Sequence, residues 1–444
     1  MIRYIYNDLK DWKESAVRKP LVLLGARQVG KTYILKQFGK AEFDNLVYVN
    51  CQNNPFADAL FSDFDIDRIL YQIELRYEQR IVAGRTLLFF DEIQEVKNGI
   101  SSLKYFCENK RDLHVVVAGS LLGISLREDE SFPVGKVDSL RMYPMTFGEF
   151  LVANGRERLA ECLRTLDAEA LSPHHDKLVE YLRQYYFVGG MPEAVQTWID
   201  THDATATRKL QQAILSTYNR DFGKHTKTET ERIRMVWESI PAQLAKENKK
   251  FVFGVVRAGA RAAEYESAIQ WLADAGLIYK VCRTSKPVEP LQFYADRTCY
   301  KVFMMDVGLL ACMSGARSSE MLLGMQAFTE FKGAFTENFV MTQIKSLEKF
   351  DTTSSSIFYY SKNNSPLKVD FVVQCNSRVV PVEVKAELNV RSKSLSTFVR
   401  EEFGQCNLRG LRCSMLPFAR QEWMENIPLY AVEAYFSREG LGIE

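Results

Sequence analysis

The sequence predicts an α/β protein, with an open parallel sheet in its N-terminal third, a helical middle and a second, smaller α/β unit at the C-terminal end. Three stretches carry that prediction. Leu21-Val-Leu-Leu24 is an apolar run that leads straight into Gly25-Ala26-Arg27-Gln28-Val29-Gly30-Lys31-Thr32-Tyr33. Thr86-Leu-Leu-Phe-Phe90 is a second apolar run and ends in Asp91-Glu92. The stretch from Lys368 to Lys385 alternates apolar and polar residues on both sides of Asn376-Ser377, with Asp370, Glu383 and Lys385 in its polar set. Short, wholly apolar runs suit strands buried on both faces of a parallel sheet, whereas alternation suits a hairpin.

In the first stretch the glycines let the backbone curl so that successive N–H groups face an anion, and the helix opening at Gly30 adds its positive dipole end. Strand, glycine loop, Lys-Thr and helix in that order form a Walker A P-loop. Residues Gly25 to Tyr33 are therefore expected to hold ATP, with Lys31 on the β and γ phosphates and Thr32 on Mg²⁺. The second stretch has the Walker B pattern, in which Asp91 is expected to hold Mg²⁺ and Glu92 to polarise the attacking water. Between them the pattern predicts a helix from Tyr33 to Phe38, a strand from Leu46 to Asn50 and an amphipathic helix from Asp65 to Gln79. A further strand, Leu113 to Ala118, ends at Gly119-Ser120. If it lies between the two strands already named, Ser120 sits beside the γ-phosphate.

The whole chain bounds these readings. Its 444 residues exceed one ordinary core, so two to four domains are expected. Apolar content of 46% and charged content of 25% are those of a globular protein. A net charge of +1 gives no global attraction to DNA or RNA, so any such contact needs a local basic patch. The nine cysteines are scattered without a CxxC pair, which favours reduced thiols over disulfides or a zinc site. The start, MIRYIYNDLK, is too polar for a signal peptide, and no apolar run approaches the roughly 18 residues of a membrane span. A cytoplasmic protein without a membrane partner is the expectation.

From Thr146 to Gly223 the pattern is helical, with Leu178, Leu182, Tyr185 and Tyr186 at helix spacing and a break at Gly189-Gly190-Met191-Pro192. The break reads either as a hinge or as an ordinary end and start of helices. Glu229 to Lys280 then gives a helix, the apolar segment FVFGVV and a second helix with Tyr265, Ile269, Leu272 and Leu277 on one face, ended by Gly276. A strand begins at Ile278. Two helices followed by a hairpin suggest a winged helix. The exposed face of its second helix carries Glu264, Glu266 and Asp274, which favours packing or protein contact over reading DNA. Phe293 to Leu310 reads as a strand and helix joining the two halves.

In the C-terminal stretch a turn at Asn376-Ser377 puts Asp370 opposite Glu383, with Lys385 on the same face. Phe371, Val373, Val380, Val382 and Val384 then form the opposite, apolar face. Two carboxylates about 5 Å apart repel unless a cation lies between them, and Mg²⁺ is the natural candidate. Pro381 removes one ladder hydrogen bond from this hairpin.

Two resemblances follow from these residues. Ala118-Gly-Ser-Leu-Leu-Gly123, Phe132-Pro-Val-Gly-Lys-Val137 and Met142-Tyr-Pro-Met-Thr-Phe-Gly-Glu-Phe150, taken with the C-terminal features, resemble the prokaryotic predicted AAA+ ATPases with a nuclease-like C-terminal domain. The likeness spans nearly the whole chain. It implies an ATPase core over 1–147, a helical lid over 148–225, the winged-helix-like and connecting segment over 226–311, and Ser120 as a sensor of the γ-phosphate. It also implies nucleotide-dependent assembly of several copies, with a trans-acting cation for which Arg127, Lys136 and Arg141 are all candidates. Asp370 with Glu383-x-Lys385 resembles the PD-(D/E)xK nuclease core, although Val369 stands where the name-giving pattern has proline. That resemblance implies a restriction-endonuclease-like domain over 326–444, with Lys385 positioning water, Glu337 as an extra metal ligand, and DNA or RNA as substrate. The functions in view are an ATPase that repositions a nuclease-like domain, a Mg²⁺-dependent nuclease gated by ATP, and a nucleotide-switch scaffold without nuclease activity.

Overall fold

The computed structural model describes residues 1–119, 133–223, 226–245, 250–323, 332–348, 356–375, 378–386 and 391–438. Ser120, Arg127 and the Asn376-Ser377 turn lie outside them. The N-terminal unit runs α1 (Ile5–Glu14), β1 (Leu21–Leu24), α2 (Lys31–Glu42), β2 (Asn45–Asn50), α3 (Pro55–Leu60), α4 (Ile66–Tyr77), β3 (Thr86–Asp91), α5 (Gly99–Asn109), β4 (His114–Ala118) and β5 (Asp138–Arg141). Its five strands are all parallel, in the order β2-β3-β4-β1-β5. Every residue of β1, β3 and β4 is buried, which is why the sequence shows unbroken apolar runs there rather than alternation. β4 lies between β3 and β1, the placement on which the reading of the Gly119 end depended.

A helical region follows: α6 (Phe147–Ala153), α7 (Glu157–Thr165), α8 (Ala168–Leu171), α9 (His175–Val188), α10 (Pro192–Thr201), α11 (Ala204–Phe222), α12 (Lys227–Ala245), α13 (Phe253–Val256) and α14 (Ala262–Asp274). Thr146 and Glu149 form a capping box at the start of α6, satisfying two of its orphan N–H groups. Leu178, Leu182, Tyr185 and Tyr186 are all buried on α9. The break between α9 and α10 is a packed joint. A Cβ on Gly190 would lie 2.1 Å from the Met145 carbonyl oxygen, and the Gly190 N–H donates to Asp306 Oδ2 at 2.6 Å.

The last third contains β6 (Ile278–Thr284), β7 (Ala295–Met304), α15 (Val307–Met313), α16 (Ser318–Leu323), α17 (Lys332–Lys345), β8 (Ile357–Ser361), β9 (Lys368–Cys375) and β10 (Arg378–Val384). It closes with α18 (Lys393–Ser396), a π-helical turn over Thr397–Glu402, β11 (Gly410–Ser414), β12 (Ala419–Arg420), β13 (Met424–Pro428) and α19 (Val432–Arg438). Eight strands form one sheet in the order β12-β13-β11-β10-β9-β8-β6-β7. β8, β9 and β10 are an antiparallel meander, and β11 returns parallel to β10 after α18. The β6–β7 hairpin joins this sheet through a parallel bridge between Arg283 and Tyr359, so the sheet spans the 311–326 region where the sequence suggested a division.

One apolar cluster runs from Ile5 and Leu23 in the N-terminal unit through Tyr185 and Leu272 to Val382 and Phe436. A second covers the other face of the N-terminal sheet, and a third lies where Leu395 and Phe398 pack with Val372 and Val379. No helix among the described residues is long and apolar enough to cross a membrane.

Candidate functional site

The glycine loop leaves the C-terminal end of β1, where ligands gather in open α/β sheets. Gly25 has φ 144° and a Cβ there would lie 2.3 Å from the Met142 carbonyl oxygen, so no side chain fits. Gly30 takes φ 99°, the left-handed step from which α2 starts at Lys31. Lys31 is 7% exposed and donates Nζ to the carbonyls of Gly25 at 2.7 Å and Ala26 at 2.8 Å. Burial lowers its pKa to about 8; the charges of Glu92 and Asp91 oppose that shift and Arg27 adds to it.

Thr32 Oγ1 donates to Asp91 Oδ2 at 2.8 Å, and the Tyr48 hydroxyl donates to the same oxygen at 3.1 Å. Burial raises the Asp91 pKa while both hydrogen bonds hold it down. A hydroxyl and a carboxylate brought together in this way are the hard oxygen donors that Mg²⁺ takes beside nucleotide phosphates, so the residues fit that ion. Glu92 follows in a left-handed conformation, φ 52°, and Gln94 Nε2 donates to its Oε2 at 2.5 Å. Gln94 also lies against Gly119, where a Cβ would sit 1.9 Å from Gln94 Oε1. Tyr48 and Gln94 escaped the sequence reading. Tyr48 reaches Asp91 only through the pairing of β2 with β3, and Gln94 only through the turn at Glu92.

The loop is held from outside as well. Buried Arg3 donates Nη1 to the Val29 carbonyl at 2.9 Å and Nη2 to the Tyr143 carbonyl at 2.6 Å, with Nε 3.1 Å from Glu149 Oε2. Arg27 pairs with Asp221 of α11. Tyr33 is 60% exposed beside the loop. Of the cations expected to act in trans, Lys136 pairs with Glu108 at 2.9 Å, and Arg141 lines a cavity with Arg3, Glu149, Arg164 and Glu433.

The second site lies on β9 and β10. Their register puts Arg378 opposite Cys375 and Val382 opposite Phe371, so Glu383 follows opposite Asp370. Both carboxylates are 7% exposed. Asp370 Oδ2 accepts from the Val384 N–H at 2.9 Å. Burial and then the Glu337 charge push the Asp370 carboxyl up to about 6, opposed by Lys301, the Val384 hydrogen bond and Lys368. Glu383 Oε1 lies 2.9 Å from Lys385 Nζ, whereas its buried Oε2 has no hydrogen-bond partner among the described residues.

Glu337 acts on Asp370 through its charge. Lys301 of β7 holds it at 3.3 Å, and no three His, Cys, Asp or Glu side chains converge on a metal position among the described residues. The pair Asp370 and Glu383 fits Mg²⁺ without it, because that ion is usually held by one or two carboxylates together with water and substrate phosphate. Lys301 escaped the sequence reading because β7 precedes this unit in the chain and enters its sheet from the hairpin.

With this geometry in hand, comparison with known proteins gives three matches along the chain. Residues 17–151 match a family described as an AAA domain, residues 179–320 a domain of unknown function (DUF8612), and residues 332–430 another domain of unknown function (DUF4143). No curated protein matches the chain. Among solved structures it is similar to a Walker-type ATPase of Pyrococcus abyssi, with a TM-score of 0.43 and 15% identity over 70% of this chain and 94% of that one.

Proposed function

We propose, for a chain whose N-terminal domain is of ATPase type, that this domain binds and hydrolyses ATP and that its nucleotide state repositions the C-terminal α/β unit, which acts on nucleic acid. The observation that carries the first half is the 2.8 Å contact between Thr32 and Asp91 at the foot of a loop that ends in Lys31. In this reading the N–H groups of Gly25 to Thr32 take the phosphates, and Lys31 leaves the carbonyls of Gly25 and Ala26 for the β and γ oxygens. Bound Mg²⁺ supplies charge neutralisation between the phosphates. Glu92 orients the water for in-line attack and accepts its proton, and Gln94 fixes the carboxylate meanwhile.

What supports the second half is Glu383, whose buried Oε2 lacks a partner among the described residues while Lys385 holds the other oxygen. An unsatisfied buried carboxylate oxygen is costly unless a cation or donor arrives. The two carboxylates sit on the antiparallel pair β9–β10, and Lys385 follows directly after β10. In this reading Asp370 and Glu383 hold Mg²⁺ against a phosphodiester, and Lys385 positions the attacking water.

Both halves are tested on one preparation by measuring phosphate release from ATP and strand cleavage of single-stranded, duplex and branched DNA and of RNA, with Mg²⁺ or Mn²⁺. Lys31→Ala should lose phosphate release. Asp370→Ala and Glu383→Ala should lose cleavage and keep phosphate release. Wild-type protein that cuts none of these substrates, with or without ATP, removes the nuclease half and leaves a nucleotide switch.

A further inference from the structure

Arg27 is the third residue of the loop, and its guanidinium spans to α11. Nη1 lies 2.8 Å from Asp221 Oδ1 and 2.9 Å from Oδ2, with the Asp221 side chain 8% exposed. One turn earlier on the same face, buried Tyr218 donates its hydroxyl to the Arg27 carbonyl at 2.8 Å. A third element closes on the loop at Gly276, in the turn between α14 and β6. It has φ 73°, and a Cβ there would lie 3.3 Å from the Ala26 nitrogen. The next loop residue, Gln28, has φ 68°. A glutamine holds that left-handed conformation only where its surroundings over-determine it.

Asp221 is also misplaced as a helix residue. It occupies the last turn of α11, where a negative charge opposes the helix dipole. Helix stability therefore does not account for it, and the pair with Arg27 does. Resting on the ATPase reading above, we infer that Asp221 is a positioning residue for the nucleotide site. Acting through Arg27, it holds the loop in the conformation that presents its N–H groups to phosphate.

ATP affinity then depends on the docking of α11, because a ligand that binds only a fraction of the loop conformers is weakened by that fraction. The same end of α11 reaches the rest of the molecule through rings. Phe222 meets Trp237 of α12 at 6.0 Å and Trp271 of α14 at 5.6 Å. From α14 the chain runs directly into β6 and the eight-stranded sheet.

The test uses the full chain. Dissociation constants for a fluorescent ATP analogue and steady-state KM and kcat for ATP are measured for Asp221→Asn, Asp221→Glu, Arg27→Ala and the Arg27→Ala/Asp221→Asn double variant. Asp221→Asn should raise Kd and KM roughly tenfold while kcat stays within about twofold. Asp221→Glu should recover most of that loss, and the double variant should be no worse than Arg27→Ala alone. A merely structural role would lower kcat by losing active molecules and leave KM alone.

Hydrogen exchange of amides 25–30 without nucleotide gives the second measurement, with faster exchange expected in Asp221→Asn. Unchanged KM, unchanged exchange, or strictly additive single effects would each overturn the inference. If wild-type protein binds no ATP, the ATPase reading fails by itself and the exchange result decides the positioning claim.

Discussion

Burial lowers the Lys31 ammonium to about 8, so below that pH the free protein carries the charge that phosphates need, and above it ATP binding must take up a proton. ATP affinity should therefore be flat below about pH 7 and weaken above about pH 8, by up to roughly tenfold per unit. Titration calorimetry in two buffers of different ionisation enthalpy reads the proton uptake directly. Lys31→Arg, which stays charged, should bind without that slope. Affinity that is flat to pH 9.5 in the wild type would contradict the account of Lys31. At this scale the sequence was informative wherever the arrangement is local. Gly25 to Thr32 and Asp91-Glu92 lie at strand ends that their own apolar runs announce. Tyr48, Gln94, Asp221 and Lys301 reach the two sites through strand order, a left-handed turn or a helix docked from far along the chain. No local pattern marks those contacts.

At the scale of elements, the α9–α10 joint is fastened by one carboxylate. Asp306 accepts from Leu309 N–H at 2.8 Å and from Gly190 N–H at 2.6 Å, capping α15 and closing the break at once. Burial pushes this carboxyl up to about 6, against its backbone donors. The folded pKa lies above the unfolded value near 4, so the folded chain binds the extra proton between them. Stability should fall as pH rises from about 4 to about 6, by on the order of 3 kcal/mol, and the penalty should be complete above that window. Asp306→Asn keeps a cap acceptor and cannot ionise. Urea unfolding of the variant at pH 5 and pH 7.5 should lack this contribution, and an unchanged pH slope would show that Asp306 is not its source. The choice between hinge and cap was open in the sequence because Gly-Gly-x-Pro is compatible with both. Met145 and Asp306, each more than 40 residues away, close the joint. The β9–β10 register was legible because the period-two alternation on the two sides of Asn376-Ser377 matches the observed pairing. The cover over Val372 and Val379 was not, since Leu395 and Phe398 come from a short helix and a π-helical turn with little periodicity to read.

At the scale of the whole molecule, a single apolar cluster passes from the five-stranded sheet to the eight-stranded one. Polar contacts stitch the same seam: Phe147 N–H to Gln343 Oε1 at 2.8 Å, Tyr143 hydroxyl to the Glu348 carbonyl at 2.8 Å, and Gly148 N–H to Glu433 Oε2 at 3.1 Å. These partners are separated by about 200 residues or more, which is why the seam is invisible in composition and spacing. A nucleotide-dependent movement at the loop therefore has a packed route to the C-terminal unit. That consequence matters only if the loop hydrolyses ATP. The most direct measurement is ATP binding and phosphate release for Glu92→Gln beside the wild type. The variant should bind ATP with wild-type affinity yet turn over at least about tenfold more slowly, a barrier increase of about 1.4 kcal/mol. Equal turnover in the two proteins would contradict the hydrolytic role of Glu92 and with it the proposed ATPase.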